Sequence, residues 1–324
     1  MQRLNEDIKT GKLQGIYLLC GEEAYLRRQY RDRLKNAIVG DDTMNYHYYE
    51  GKNISVGEVI DQAETLPFFA ERRLIVMENT QLFKSGGEQL ADYLEERAES
   101  TYFVFVEPEI DKRSKLYKTV KAGGCIVEFT TQDEATLTRW ILGMMKKEGK
   151  NISQNNLRYL LEKTGTDMEN IRKETEKLFC YVLEKDVIER EDIDEICTKQ
   201  ISGHIFDMIG AIADKQQEKA LALYYDLLAL KEPPMRILFL IAKHFNQLLQ
   251  VKDLHKKGFA DRAVAERVGI PPFAIKKYVV QAGRFSPEEL RSAVEACVQA
   301  EEDIKTGRMN DTLSVELLIV GYSR

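Results

Sequence analysis

Short apolar runs alternate with amphipathic stretches through the first part of this chain. The runs 15–20 (GIYLLC), 46–50 (YHYYE), 73–78 (RLIVME), 101–107 (TYFVFVE) and 125–129 (CIVEF) each have the length of a strand. Near-continuous apolar strands, rather than alternating ones, fit a mostly parallel sheet covered on both faces. Between them, the stretches 24–37, 56–65, 88–98 and 114–122 repeat apolar residues at helical spacing. The pattern predicts a doubly wound α/β domain over residues 1–130, of the kind that binds nucleotides.

After residue 129 the strand signal stops. A helix is expected over 132–148, with Asp133 as its N-cap and Gly149 as its stop. Ser153 caps the next helix, which ends near Gly165. Asp167 caps a third, 168–183, carrying Ile171, Leu178 and Val182 on one side. A short extended link, 186–189 (DVIE), precedes a further helical turn from Glu191. The middle stretch, 131–203, thus reads as a compact helical bundle ending near residue 200. From about Phe206 the pattern is helical to residue 324. Pro233 and Pro234 stand at the entrance of a long apolar helix, 235–255, where proline is tolerated. Gly258, Gly269, Gly283 and Gly307 punctuate the helices that follow.

Composition narrows the function classes. At 324 residues the chain exceeds what one core usually organises, so two or three domains are expected. A net charge of −6 gives no global attraction to nucleic acid; any DNA contact must come from a local basic patch or a partner. No run of about 18 uncharged apolar residues predicts a membrane span. The N-terminal MQRLNEDIKTGKLQGIYLL is charged on both sides of its apolar run and lacks a small-residue cleavage site, so no secretion signal is expected. The 5 cysteines (Cys20, Cys125, Cys180, Cys197, Cys297) are scattered, without a CxxC pair or zinc spacing. They read as reduced thiols of a cytoplasmic protein, with no metal.

The chemistry expected of a nucleotide-binding domain is missing. A phosphate loop needs GxxxxGK[ST] between the first strand and first helix. The equivalent place reads Cys20–Gly21–Glu22–Glu23–Ala24–Tyr25–Leu26, with one glycine, no lysine, no hydroxyl and two acids. The third strand, LIVMEN, puts Glu78 and Asn79 where such ATPases carry Asp-Glu, and Asn79 cannot act as a carboxylate base. This end reads as an ordinary buried strand finishing in polar residues. The histidines His47, His204, His244 and His255 form no HExxH, and no GxSxG elbow occurs. Acid pairs such as Glu22–Glu23 and Glu288–Glu289 suit helix N-termini. No catalytic, cofactor-binding or metal-binding residue is assigned.

Eight segments carry a family resemblance. YLLCGEEAYL, TLPFFAERRLIVMEN, IDKRSKLYKTVK, ENIRKETEKLFCY, GHIFDMIGAI, KALALYYDLL, GIPPFAIKKYVVQA and AEEDIKTGRMNDTLSVELLI run from residue 17 to 319. The chain resembles the δ subunits of bacterial DNA polymerase III clamp loaders. The resemblance implies α/β plus all-α architecture: an ATPase-like (AAA+-type) parallel-sheet domain without a P-loop over 1–130, a helical lid over 131–203, and a helical collar over 204–324. It implies a non-catalytic subunit that opens the β sliding clamp, assembles with γ/τ- and δ′-type subunits, and meets primer-template DNA through the assembled complex. The motor subunit of such loaders has a P-loop and a four-cysteine zinc site, and δ′ has cysteine clusters; this chain has neither. The family's clamp-gripping positions fall on Leu66, Phe68 and Phe69.

The residues themselves leave two readings of that element. Pro67 disfavours a helical Leu66 and so ends the helix of 56–65. Two adjacent aromatics then follow on a turn, either protruding into a partner's pocket or capping the sheet's own core. The resemblance decides for clamp binding, with Phe69 expected to matter most. Lys112, Arg113, Lys115, Lys118 and Lys121 read as a solvated face rather than a DNA contact. Lys276, Lys277, Lys305 and Arg308 read as surface or subunit-contact residues.

A rival reading is a helix-turn-helix DNA-binding regulator at 263–280 (AVAERVGIPPFAIKKYVV). Ala265 is small, Gly269 stands at the turn, and Ile270 and Ile275 are suitably spaced. The acidic balance and the large first domain weigh against it. An active ATPase would need the phosphate loop this sequence lacks.

Overall fold

The computed structural model describes residues 2–197 and 201–323. Contacts divide it into two units, Met1–Gln132 and Asp133–Arg324. The first is built on the strands β1 (Ile16–Cys20), β2 (Tyr46–Glu50), β3 (Arg73–Glu78), β4 (Thr101–Glu107) and β5 (Cys125–Glu128). They form one five-stranded sheet in the order β2-β3-β4-β1-β5, and every pairing is parallel.

β1, β3 and β4 are largely apolar because both of their faces are covered, whereas the edge strand β2 is only half-buried, with Tyr48 and Glu50 exposed. Side chains alternate between faces, so Ile16, Leu18, Cys20, Ile75, Met77, Phe103 and Phe105 share one side. They pack with Val59 and Ala63 of α3 (Val56–Glu64), Leu90 and Leu94 of α4 (Glu88–Glu95), and Leu116 and Val120 of α5 (Lys115–Gly123). Tyr17, Leu19, Leu74, Val76, Val104 and Val106, from the alternate positions, are also buried. Helix α2 (Ala24–Ile38) packs over β1, β3 and β4 from that side.

One helix of this unit was not expected. α1 (Gln2–Thr10) buries Leu4 completely, and Asp7 accepts a hydrogen bond from the Tyr17 hydroxyl at 3.0 Å. Nine residues with a single buried aliphatic carry too weak a period to stand out.

The second unit opens with α6 (Glu134–Lys147), α7 (Gln154–Thr164) and α8 (Met168–Tyr181). Asp133, Ser153 and Asp167 cap them, each accepting from the backbone N–H three residues on. The extended link expected over 186–189 is a short strand here, and its partner strand ahead of α7 was not expected. β6 (Asn151–Ile152) and β7 (Val187–Ile188) pair in parallel ahead of α9 (Arg190–Ile196). The Lys150 ammonium donates to the carbonyls of Val182, Leu183 and Lys185, which draws the two short segments together. Two-residue strands are too short to leave a periodic trace. The expected end of the middle stretch near residue 200 falls on 198–200, outside the described residues.

The rest of this unit comprises α10 (Ile201–Ala213), α11 (Gln217–Ala229), α12 (Pro234–Lys256), α13 (Asp261–Val268), α14 (Ile275–Gly283), α15 (Pro287–Lys305) and α16 (Asp311–Tyr322). α12 is its axis and packs against α10, α13, α14, α15 and α16. Ile237, Leu238, Ile241, Phe245, Leu248 and Val251 form its buried face. His244 lies on that face and shares a 2.6 Å hydrogen bond with Gln281, whose amide donates to the Phe206 carbonyl. Burial pulls His244 down to about 4, so it is neutral in the fold.

Among the described residues, no three His, Cys, Asp or Glu side chains converge as a metal site would require. Burial pushes the thiols of Cys20 up to about 11 and of Cys197 and Cys297 to about 12. No described helix is long and apolar enough to cross a membrane.

Candidate docking site

The turn between α3 and β3 starts where sequence chemistry requires it. Ser55 caps α3 at its N-terminus, and α3 ends at Glu64. Thr65 is already extended, with φ −67° and ψ 129°, ahead of Leu66 and Pro67. No regular structure forms again until Arg73. On this turn Leu66 is 80% exposed, Phe68 57% and Phe69 95%. Neither phenylalanine caps the sheet. Their rings meet edge to face, with centroids 4.6 Å apart. Phe69 sits at φ +49°, a left-handed conformation that costs a bulky side chain roughly 1–2 kcal/mol.

Two buried polar residues hold the turn in place. Asn45 is fully buried just ahead of β2. Its side-chain oxygen accepts from the Phe68 N–H at 2.7 Å, and its side-chain nitrogen donates to the Phe68 carbonyl at 2.9 Å. The same nitrogen donates to Asp42 at 2.6 Å, and the Asn45 carbonyl accepts from the Leu74 N–H at 2.8 Å. The Asn45 side-chain bond, with others from the backbone N–H groups of Asn45 and Met44, holds the Asp42 carboxyl below the usual range.

Arg73 braces the other side. Its guanidinium donates to the carbonyls of Gln62 at 2.6 Å and Leu66 at 3.0 Å, so it sits at the negative end of α3. Burial pulls its proton affinity down, yet arginine stays charged at any working pH. The result is an apolar knob on a fixed base.

Sequence reasoning marked the turn at Leu66, Phe68 and Phe69, left open which way its rings face, and missed its supports. Asn45 and Arg73 are polar residues at positions a strand start would bury, which is a signal. Their partners, however, lie on other segments: Asn45 and Phe68 are 23 residues apart.

The vacated nucleotide chemistry also has a structural account. Gly21, at φ +109°, approaches Phe129 so closely that a Cβ would lie 2.4 Å from its carbonyl oxygen. The Glu23 N–H donates to that same carbonyl at 3.0 Å. The Glu23 carboxylate caps α2 by accepting from the Tyr25 N–H, taking the amide end where a phosphate would sit.

At the end of β3, Glu78 pairs with Arg31 and accepts from the Tyr48 hydroxyl. Asn79 follows at φ +56°. Glu107 accepts from the backbone N–H and the hydroxyl of Thr80; burial raises its carboxyl above the usual range. These acids are used in holding strand ends together.

The other candidate surfaces carry less. Lys112 pairs with Glu128, Arg113 with Asp111 and Lys115 with Asp92, a largely neutralised face. Lys277 pairs with Glu162 at 2.6 Å. α13 and α14 are joined by 269–274, a longer link than the three- or four-residue turn of a helix-turn-helix, although Gly269 does adopt the left-handed turn conformation.

Two family models match the chain. One, described as the DNA polymerase III delta subunit, covers residues 17–130; the other, its C-terminal domain, covers residues 202–322. The chain belongs to the DNA polymerase III delta subunit family. It is 27% identical to the DNA polymerase III subunit delta of Bacillus subtilis, over 97% of this chain and 94% of that protein. It is 24% identical to a probable DNA polymerase III subunit delta of Aquifex aeolicus, over 86% of this chain and 83% of that one. Among solved structures it is similar to the DNA clamp loader delta protein of Bacillus subtilis, with 26% identity, 99% coverage of both chains and a TM-score of 0.66. The α/β sheet unit followed by helices is therefore the delta-family fold. Within it, the first family match contains the whole Leu66–Phe69 knob together with Asn45 and Arg73.

Proposed function

We propose that this delta-family chain grips and opens the ring-shaped β sliding clamp as the non-catalytic δ subunit of a bacterial DNA polymerase III clamp loader. The observation that carries the reading is the exposed Leu66, Phe68 and Phe69 knob on a base fixed by Asn45 and Arg73. Three large apolar side chains held in water are costly unless a partner covers them, and aromatic anchors of this kind dominate interface energetics. Because the turn is already ordered, docking does not have to fix its backbone, which preserves affinity.

Opening needs no chemistry from this chain. If Leu66, Phe68 and Phe69 dock on one clamp protomer, the α/β unit need only bind the open ring better than the closed one. Residues 131–203 serve as the lid and 204–324 as the collar that joins γ/τ- and δ′-type subunits. ATP binding in those partners exposes or hides the knob, and primer-template DNA is met through the assembled complex. The Glu23 cap on α2 and the Gly21–Phe129 contact leave this chain without the phosphate cradle an ATPase needs.

The test is titration of the cognate β clamp with wild-type protein and with Phe68→Ala/Phe69→Ala, with circular dichroism on both. Tight binding by wild type and at least tenfold weaker binding by the folded double variant is the expected result. Tight binding by both would move the site elsewhere, and no binding by wild type would sink the reading.

A further inference from the structure

We propose that Met44 is a fourth clamp contact, so that the docking surface is made of two chain segments joined through Asn45. The inference rests on the clamp-gripping reading of Leu66, Phe68 and Phe69. It begins from the large apolar side chains that the first unit leaves exposed: Met44, Tyr48, Leu66, Phe68 and Phe69. Tyr48 has an internal role, since its hydroxyl donates to Glu78 and the Arg31 guanidinium lies 5.9 Å from its ring centre. Met44 is 63% exposed, and nothing comparable engages it among the described residues.

Met44 is nonetheless held in place. Its N–H donates to the Asp42 carboxylate at 2.8 Å, and the next residue is the fully buried Asn45. Asn45 in turn is bonded in both directions to the main chain of Phe68. Consecutive Cα atoms lie about 3.8 Å apart, so Met44 leaves the surface within a residue's reach of the hydrogen bonds that seat Phe68.

The occupant follows from that continuity. A surface that receives Phe68 and Phe69 must extend past them, and the same clamp protomer is the body that would reach Met44. The residue type suits the task, because an unbranched, polarisable thioether adapts to the wall of a partner's pocket. Asn45 then has two effects at once: it seats the aromatic pair and ties the chain segment that carries the methionine to it.

The experiment measures binding of the cognate clamp to the full chain carrying Met44→Ala, Met44→Leu or Met44→Glu. Phe68→Ala/Phe69→Ala and a Gln89→Glu charge control at an exposed position of α4 are run alongside, at low and high salt. Expected are a loss of about three- to tenfold for Met44→Ala, near wild-type binding for Met44→Leu, and a loss of more than about tenfold for Met44→Glu at both salt concentrations. Gln89→Glu should bind as wild type, and all variants should melt together because Met44 is exposed. Wild-type affinity in both Met44→Ala and Met44→Glu, with the phenylalanine variant still defective, overturns the Met44 contact and leaves the knob standing. A Met44→Glu defect that vanishes at high salt overturns it too, since that is repulsion without contact. Failure of the wild type to bind removes the clamp reading and Met44 with it.

Discussion

The side-chain amide of Asn45 grips the main chain of Phe68 from both sides, accepting its N–H at 2.7 Å and donating to its carbonyl at 2.9 Å. An amide used this way imitates one rung of a β-ladder, between two segments that form no sheet with each other. The third hydrogen bond, to Asp42, fixes which end of the amide faces which group.

Asn45→Ala removes all three bonds at a buried position and leaves the Phe68 backbone groups without them. The expected cost is about 1–3 kcal/mol in chemical denaturation. Clamp affinity should fall at least about tenfold even at temperatures where the variant is fully folded, because the turn must then be ordered on binding. Wild-type affinity in a folded Asn45→Ala protein would show that the knob does not need its brace.

Arg73 poses a different question, because its guanidinium serves two carbonyls at once, those of Gln62 and Leu66. Arg73→Met should destabilise the protein by roughly 2–3 kcal/mol through the loss of charge-assisted bonds at the end of α3. Arg73→Lys should recover less than half of that, since an ammonium cannot present a planar fork. Urea titration of the three proteins decides it; full recovery in the lysine variant would mean that charge, not geometry, is what α3 requires.

Phe69 offers a separation of function from stability. It is 95% exposed and holds φ +49°, so it contributes little packing and carries backbone strain. Phe69→Gly should melt no lower than wild type, because glycine adopts this conformation freely. The same variant should bind the clamp at least about tenfold more weakly. A clear fall in melting temperature would indicate a packing role for the ring.

His244 sets a pH dependence in the helical unit. Its folded value is about 4, pulled down by burial, against an ordinary value of 6.5. Below pH 6.5 the unfolded chain therefore takes up a proton that the folded chain refuses, and stability is lost as pH falls towards 4. A difference of that size corresponds to roughly 3 kcal/mol over the window. His244→Gln, which keeps a hydrogen-bonding group beside Gln281, should show a shallower loss between pH 6.5 and 4 in thermal melts. Parallel slopes for the two proteins would assign the acid sensitivity to carboxylates instead.

The sequence by itself determined most features whose cause is local, the short helix α1 excepted. Runs of strand length located β1–β5, most plainly β1, β3 and β4, where burial on both faces leaves no polar alternation to obscure them. Asp133, Ser153 and Asp167 announced helix starts because a cap and its N–H partner are three residues apart. The lack of GxxxxGK[ST] was equally local, and the segments that resemble the δ family pointed to the same fold. Pro67 located the end of α3, and the pair Phe68–Phe69 marked the turn. Whether those rings faced water or the core was left open, because that depends on what lies beneath them. Only the tertiary structure decided it, by bringing Asn45 from ahead of β2 and Arg73 from β3 against the same turn. The β6–β7 pair and the closure of Gly21 and Glu23 on Phe129 are of the same kind. Each is a hydrogen bond or contact between groups far apart in the chain, and the path of the folded backbone, not any nearby pattern, brings them within 3 Å.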